Sequence, residues 1–275
     1  MKIAVYSRDG GALTDERLSA MFGRLRGKSF DFFEVYGDDV SLSSSDADMM
    51  ISVGGDGTFL SASQCVGRSG IPILGINLGR VGFLSEYSPE EAGAALLSGD
   101  WYLEDRALLN TGLPAGAVVP GFRPYTLNEV SVHRSGAALM GIDVSIDGHH
   151  LPTYWADGLL VATSSGSTAY SLSVGGPICS PEARVLIIAP IAPHNLNVRP
   201  LVVPDSTAIS VSMRSRDDKV MLSMDNRNHL VDPSLTLEVK VAQFSLKRVR
   251  LNNSSFIKAL TTKLFWGEDI RNSGE

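Results

Sequence analysis

The sequence predicts an α/β chain in two parts. An open, mostly parallel α/β domain comes first and a mainly β, sandwich-like domain second, with a C-terminal tail returning to the first. Three observations carry this. Over the first hundred residues strand-like and helix-like segments alternate, the pattern of a parallel sheet with covering helices. From about residue 108 to 250, strand-like runs such as "GIDVSID", "GLLVATS", "RVLIIAP" and "LTLEVKV" follow one another with little helical spacing between them. Phe256, Leu260 and Leu264 then return to a spacing of four. The expected domains are 1–107, with 255–275 packing back on it, and 108–254.

Taken in order, Ile3, Ala4, Val5 and Tyr6 make a first apolar strand, ended by Asp9-Gly10-Gly11. Thr14 opens a helical pattern, with Leu18, Met21, Phe22 and Leu25 at i, i+3, i+4 and i+7 and with Asp15 and Glu16 in its first turn. Residues 30–36, 49–53 and 71–77 read as three further strands. In "SPEEAGAALLSG", Ser88 is an N-cap, Pro89 takes the first helical position, Glu91 completes a capping box and Gly99 is a stop. In the second half, Asp147-Gly148 after "IDVSI" is a hairpin-type turn. In "LKRVR", Arg248 and Arg250 share one strand face and Lys247 takes the other, which reads as a solvated strand edge.

The composition bounds the function. A chain of 275 residues, 44% hydrophobic and 20% charged, is long enough for one large or two modest globular domains. A net charge of −6 without a basic stripe argues against a nucleic-acid or membrane-surface partner. An acidic protein of this kind binds a phosphorylated ligand through backbone N–H groups, a few cations or a metal. Cys65 and Cys179 have no zinc or disulfide spacing, the apolar run in "MKIAVYSRDGG" is too short for a signal sequence, and no run reaches the ~20 apolar residues of a membrane span. The expected setting is the cytoplasm. The histidines, His149-His150 after the hairpin turn among them, are not at metal-ligand spacing, so no metal ligands are assigned.

Three polar clusters carry chemistry. "GGDGT" (54–58) follows a strand and precedes the apolar Phe59-Leu60. A glycine-rich turn at the carboxyl end of a parallel strand lets backbone amides approach phosphate, and a following helix adds its positive end. It is neither G-x-G-x-x-G nor a Walker loop, which would carry a Lys. Asp56 supplies what glycines lack, as a base, a metal ligand or a hydroxyl acceptor; as a mere turn residue it would bond its own backbone. "TSSGSTAYSLSVGGP" gathers Thr163, Ser164, Ser165, Ser167, Thr168, Ser171 and Ser173 around Gly166 with Tyr170, suited to ribose and phosphate oxygens and a flat base. Asp157-Gly158 lies just ahead of it. Asn128-Glu129 in "LNEVSVH" suits an amide- or adenine-like edge; the plainer reading is an outward-facing polar position on a half-buried strand.

Together these segments resemble the NAD kinase family. The resemblance runs from about residue 49 to 266 through "GGDGT", "GINLGRVGFLSE" (75–86), "LNEV" (127–130), "ADGLLVATSSGSTAYSLSVGGPI" (156–178), "PHNLNVRPLVV" (193–203) and "TTKLFW" (261–266). "GGDGT" alone is shared with diacylglycerol and sphingosine lipid kinases; "GSTAYSLS" with an upstream Asn-Glu is more specific. The resemblance implies phosphorylation of the adenosine-ribose 2′-hydroxyl of NAD, with ATP, another nucleotide or polyphosphate as donor and Mg²⁺ accompanying it. It makes Asp56 the catalytic carboxylate and Gly57 a phosphate and ribose contact. Phe83 lies near the adenine, Asn128 and Glu129 bind the NAD, and Asp157 anchors the base or carboxamide. Ser165 and the run Thr168, Ala169, Tyr170, Ser171, Leu172 and Ser173 line the pocket, with Tyr170 against the adenine and Ala192 touching the dinucleotide. Within "MDNRN" (224–228), Asn226 or Arg227 falls near the diphosphate. The family also implies a homo-oligomer, dimer or tetramer. Two departures stand out: Ser61 replaces a basic residue found in some members, and Thr163-Ser164-Ser165 replaces Thr-Pro-Thr. The alternatives are a lipid or sugar kinase sharing only "GGDGT", and an NAD-binding regulator without activity.

Overall fold

The structure is a computed structural model describing residues 1–37, 40–79 and 82–267. Arg80 and Val81 of the "GINLGRVGFLSE" segment and 268–275 of the tail lie outside the described residues. The chain divides into two compact units, Met1–Asp105 with the described residues from Leu246 onward, and Arg106–Ser245.

The first unit is built on a six-stranded sheet in the order Asp31–Tyr36, Lys2–Ser7, Met49–Val53, Ile73–Ile76, Leu246–Leu251, Trp101–Arg106. The first five strands pair in parallel. Helices α1 (Glu16–Arg26), α2 (Asp56–Val66) and α3 (Pro89–Ser98) follow strands, as parallel pairing requires. Leu18, Met21, Phe22 and Leu25 of α1 and Ala92, Ala95 and Leu96 of α3 pack with Ile3, Val5, Met49 and Ile51 on one sheet face. Gly75, in the alternate register, faces the ring of Phe59 on α2. The expected capping box of α3 is present: Ser88 accepts the Glu91 N–H, and the Glu91 side chain accepts the Ser88 N–H. The start of α1 differs from the expectation. Ala12–Thr14 forms a 3-10 turn, and Asp15 is the N-cap because its carboxylate accepts the Arg17 N–H.

"LKRVR" is a correction. Leu246–Leu251 is not a solvated edge; it lies between Ile73–Ile76 and Trp101–Arg106. Only Lys247 is exposed, while Arg248 and Arg250 are 1% and 4% exposed. Both guanidiniums are ion-paired with Glu86 and Glu104, at 3.2 to 3.8 Å. A boundary after 254 would assign this strand to the second part; its parallel pairing places it in the first. The chain then continues into α5 (Phe256–Leu264).

The second unit is a β-sandwich. One sheet runs Glu129–Arg134 beside Gly158–Thr163 on one side and Val220–Met224 on the other, with Val185–Ile191, Leu201–Pro204 and Arg227–Val231 completing it. The second sheet is centred on Met140–Ile146, Ile209–Arg214 and Thr236–Val241. Val130, Val132, Leu159, Val161, Leu186 and Ile188 of the first sheet share one core with Met140, Ile142, Val144, Val211, Leu237 and Val239 of the second. Because side chains alternate along a strand, the intervening residues of the first sheet must point to its other face. Among them Leu160, Ala162, Ile187 and Ala189 form a separate small cluster, against which Val174 and Cys179 pack. The Ser/Thr/Tyr segment therefore covers the sheet face opposite the sandwich core. Asp147 and Gly148, both at positive φ (48° and 81°), make the expected hairpin turn.

Candidate active site

In the first unit the bare turn joins Met49–Val53 to α2. Gly54 has φ +143°, and a Cβ on it would meet Thr58 Oγ1 at 2.4 Å, so this glycine is required by the chain itself. Gly55, the N-cap, faces open space, and Gly57 is open except for Arg8 Nη2, 3.6 Å from where a Cβ would be. Asp56 opens the helix. Its carboxylate does not bond its own turn. Oδ2 accepts the Phe83 N–H at 2.8 Å, and Oδ1 accepts the N–H groups of Leu84 and Ser85, both at 2.9 Å. A carboxylate offers about four acceptor positions, so three successive amides leave one on Oδ2. Gly82 makes this fit possible, since a Cβ there would stand 1.9 Å from Oδ1.

The carbonyls of the same turn are held from elsewhere. Arg248 Nη2 donates to Phe83 O and Leu84 O, each at 2.9 Å. Lys263 Nζ of α5 donates to Gly82 O and, at 3.1 Å, to Glu86 Oε1, and sits 4.9 Å from the centre of the Phe83 ring. Asp56 and Phe83 are thus brought together, and the turn that joins them is held by Arg248 and Lys263, to which the sequence reading gives no role at the site.

In the second unit Asn128 and Glu129 are not outward-facing; they are 7% and 8% exposed. Their backbone is fixed by Asp225, at left-handed φ +53°. Its carboxylate accepts the N–H groups of Leu127 (2.9 Å), Asn128 (2.9 Å) and Glu129 (3.2 Å). Burial pushes the Asp225 carboxyl up, and those three amides and Arg227 pull it down. Burial and then the charge on Asp225 push Glu129 up to about 8; the Tyr170 N–H opposes them. The proton of the pair rests on Glu129, since Asp225 has the three donors. Among the described residues Glu129 Oε2 and Ser171 Oγ are buried with no hydrogen-bond partner, a costly arrangement.

Glu129, Ser131 and His133 lie on one face of their strand, and Tyr170 covers them. The Tyr170 ring stacks on His133 at 5.7 Å between centres and 17° between planes. Burial holds His133 below its ordinary range, so the stacked imidazole is neutral, and it bonds Ser131 Oγ at 2.8 Å. Ser165 starts a 3-10 turn, Ser165–Thr168, and its Oγ accepts from Arg106 at 3.3 Å. Thr168 Oγ1 bonds Ser165 O, and the Ala169 N–H bonds Gly166 O. Leu172 is half-buried and Ser173 exposed, within the helical turn α4 (Tyr170–Ser173). Asp157 and Ala192 lie at the other end of the same strands. The Asp157 carboxylate pairs with Arg134, at 2.7 and 3.3 Å, and its N–H bonds Ile191 O. Ala192 follows at φ +46°, a strained position for a residue with a Cβ. In "MDNRN", Asp225 holds the backbone of Leu127, Asn128 and Glu129. Arg227 reaches the carbonyls of Tyr125 and Arg123.

Comparison with known proteins finds two family matches, the second of which runs on into the Leu246–Leu251 strand of the first unit. The family model described as ATP-NAD kinase N-terminal domain matches residues 33–98, and that described as ATP-NAD kinase C-terminal domain matches 127–251. The NAD kinase of Bacteroides fragilis is 43% identical over 230 residues, covering 82% of this chain and 79% of that protein. The NAD kinase of Flavobacterium psychrophilum is 42% identical over 231 residues, covering 82% and 78%. Among solved structures, an NAD kinase from Archaeoglobus fulgidus in complex with ATP superposes with a TM-score of 0.73 at 27% identity, over 92% of this chain and 94% of that one. Yeast NADH kinase complexed with NADH shares the fold, with a TM-score of 0.82 at 23% identity, over 99% and 90%.

Proposed function

This chain belongs to the NAD kinase family, and from that premise we propose that it transfers a phosphoryl group from ATP or a related donor to the adenosine-ribose 2′-hydroxyl of NAD, giving NADP. The observation that carries the reading is Asp56. It stands at the first position of α2, at the carboxyl end of a parallel strand, with bare positions on either side of it. A sugar hydroxyl is a poor nucleophile at neutral pH. The open acceptor position on Asp56 Oδ2 takes its proton as the new P–O bond forms, typically a 10²–10⁴-fold effect, roughly, for general base catalysis. Gly55 and Gly57 leave the start of α2 open to the donor phosphates, where the helix dipole favours negative charge.

The dinucleotide falls to the second unit. The protonated Glu129 donates a hydrogen bond from its unpartnered side, and Asn128 offers an amide. Ser165, Thr168, Ala169, Ser171, Leu172 and Ser173 line the pocket, with the Tyr170 ring against the adenine. Asp157, already paired with Arg134, retains acceptor positions for the base or carboxamide, and Ala192 contacts the dinucleotide through its backbone. Within the first unit, Gly57 and Phe83 stand beside Asp56 as substrate contacts. No residue of this chain is assigned to Mg²⁺. The cation enters bound to the donor phosphates, as Mg²⁺ commonly does.

We place the enzyme in the cytoplasm as a homo-oligomer. Two free cysteines suit a reducing compartment. Among the described residues no helix is long and apolar enough to cross a membrane. The edge strand Leu201–Pro204 leaves Leu201 and Val202 exposed, a surface that a second copy would cover. Light scattering should find a dimer or tetramer at micromolar concentration; a monomer overturns that part. Purified protein with NAD, Mg²⁺ and either ATP or polyphosphate should form NADP. No NADP with any donor overturns the assignment.

A further inference from the structure

We propose that Lys263, on α5, is a positioning residue for Asp56 and acts through the 82–85 turn. The inference rests on the NAD kinase reading and extends it to the C-terminal helix. That turn is held on both sides of its backbone. Asp56 takes the N–H groups of Phe83, Leu84 and Ser85, and Arg248 takes the carbonyls of Phe83 and Leu84. The Gly82 carbonyl is held by Lys263, whose ammonium also lies over the Phe83 ring. Phe83 provides the one amide that fixes Asp56 Oδ2, the oxygen with the free acceptor position. Loss of Lys263 releases the turn next to that amide and lets the carboxylate swing.

The charged groups around Lys263 are Glu86 at 3.1 Å, Arg248 and Asp56, with Arg250 and Glu104 completing the cluster through Glu86 and Arg248. Burial pushes Lys263 below the ordinary lysine range; Glu86 raises it, Arg248 lowers it and Asp56 raises it. The two guanidiniums keep their charge at any working pH. Lys263 is therefore the cation of this cluster that titrates, and the turn loosens as pH rises through its titration.

The test uses the full chain and the variants Lys263→Met and Lys263→Arg. Lys263→Met should lower kcat by about 10–100-fold, the scale of a sub-ångström to ångström misplacement of a catalytic group. KM for NAD should rise less than kcat falls, because the Asn128-Glu129 cluster is untouched while Phe83 sits on the loosened turn. Lys263→Arg should recover at least tenfold of that loss, and the alkaline fall in wild-type kcat should move to higher pH in it. Hydrogen exchange at the amides of Phe83, Leu84 and Ser85 should quicken at least tenfold in Lys263→Met. Wild-type exchange at these amides, a kcat within twofold of wild type, or an unchanged alkaline limb in Lys263→Arg overturns the proposal. Exchange is measured without turnover, so a protein that makes no NADP refutes the kinase reading while the exchange result still decides the role of Lys263.

Discussion

Asp56→Asn tests two roles of one side chain. The amide oxygen can keep the bonds from Leu84 and Ser85, which now share the position of Oδ1. The new NH₂ then faces the Phe83 N–H, donor against donor, where Oδ2 accepts at 2.8 Å. One hydrogen bond to a charged acceptor is lost, and two lose their charge assistance. With about 1.5–3 kcal/mol for a bond to a charged group and about 1 for a neutral one, the total is about 2.5–7 kcal/mol. For a unit of this size that lowers the melting midpoint by roughly 8–20 °C. Separately, loss of the proton acceptor cuts kcat by about 10²–10⁴. Differential scanning calorimetry and initial rates of NADP formation measure the two effects. Gly82→Ala is the companion variant. It keeps the carboxylate but sets a Cβ 1.9 Å from Oδ1, so it should displace Asp56 and depress kcat as well. Turnover of Asp56→Asn within tenfold of wild type refutes the base, and a melting midpoint unchanged within about 1 °C refutes the clamp.

In Glu129→Gln the wild-type loss of stability with rising pH should disappear. The folded carboxyl is raised to about 8 from 4.5, so wild type is penalised increasingly from about pH 4.5 to 8 and the variant is not; urea titrations at pH 5, 6.5 and 8 showing parallel changes in both proteins would contradict the buried proton. Asp225→Asn should raise KM for NAD at least tenfold by releasing the backbone of Asn128 and Glu129, while KM for the donor stays within about threefold; an unaltered KM for NAD in steady-state kinetics removes Asp225 from the site. Ala192→Gly should stabilise the protein by up to about 1 kcal/mol, because glycine adopts φ +46° without the Cβ penalty, less the added freedom of the unfolded chain; destabilisation on thermal melting would show that the strain is not backbone strain.

The local parts of the fold were legible because local residues decide them. The capping box at Ser88 and Glu91, the hairpin at Asp147-Gly148 and the strand before "GGDGT" each rest on a few neighbouring residues. Three facts are decided by partners far along the chain, and no short window contains them. Arg248 and Arg250 read as exposed because alternation gives a face but not what covers it; Glu86 and Glu104, more than a hundred residues earlier, neutralise them. Asp225 is an ordinary turn residue until sheet register sets it beneath Leu127, Asn128 and Glu129. Glu129 itself follows the alternating pattern, but its face is roofed by Tyr170 rather than by solvent. The glycines divide similarly. Gly54 is demanded by Thr58 and its own φ, which leaves Gly55 and Gly57 as the positions kept bare toward open space.

The place of Leu246–Leu251 inside the first sheet reverses the usual order of synthesis and folding. A ribosome delivers Met1–Asp105 first, yet the strand that must lie between Ile73–Ile76 and Trp101–Arg106 emerges only after the whole of Arg106–Ser245. At roughly 5–20 residues per second, the nascent first unit waits on the order of ten seconds with the backbone edge of Ile73–Ile76 unpaired. The sandwich needs nothing made later, so it can close first while tethered beside an incomplete neighbour. The first unit, and with it the seat of Asp56, is finished only once Leu246–Leu251 has emerged behind the sandwich, so no chain is competent for phosphoryl transfer before Arg106–Ser245 has been made.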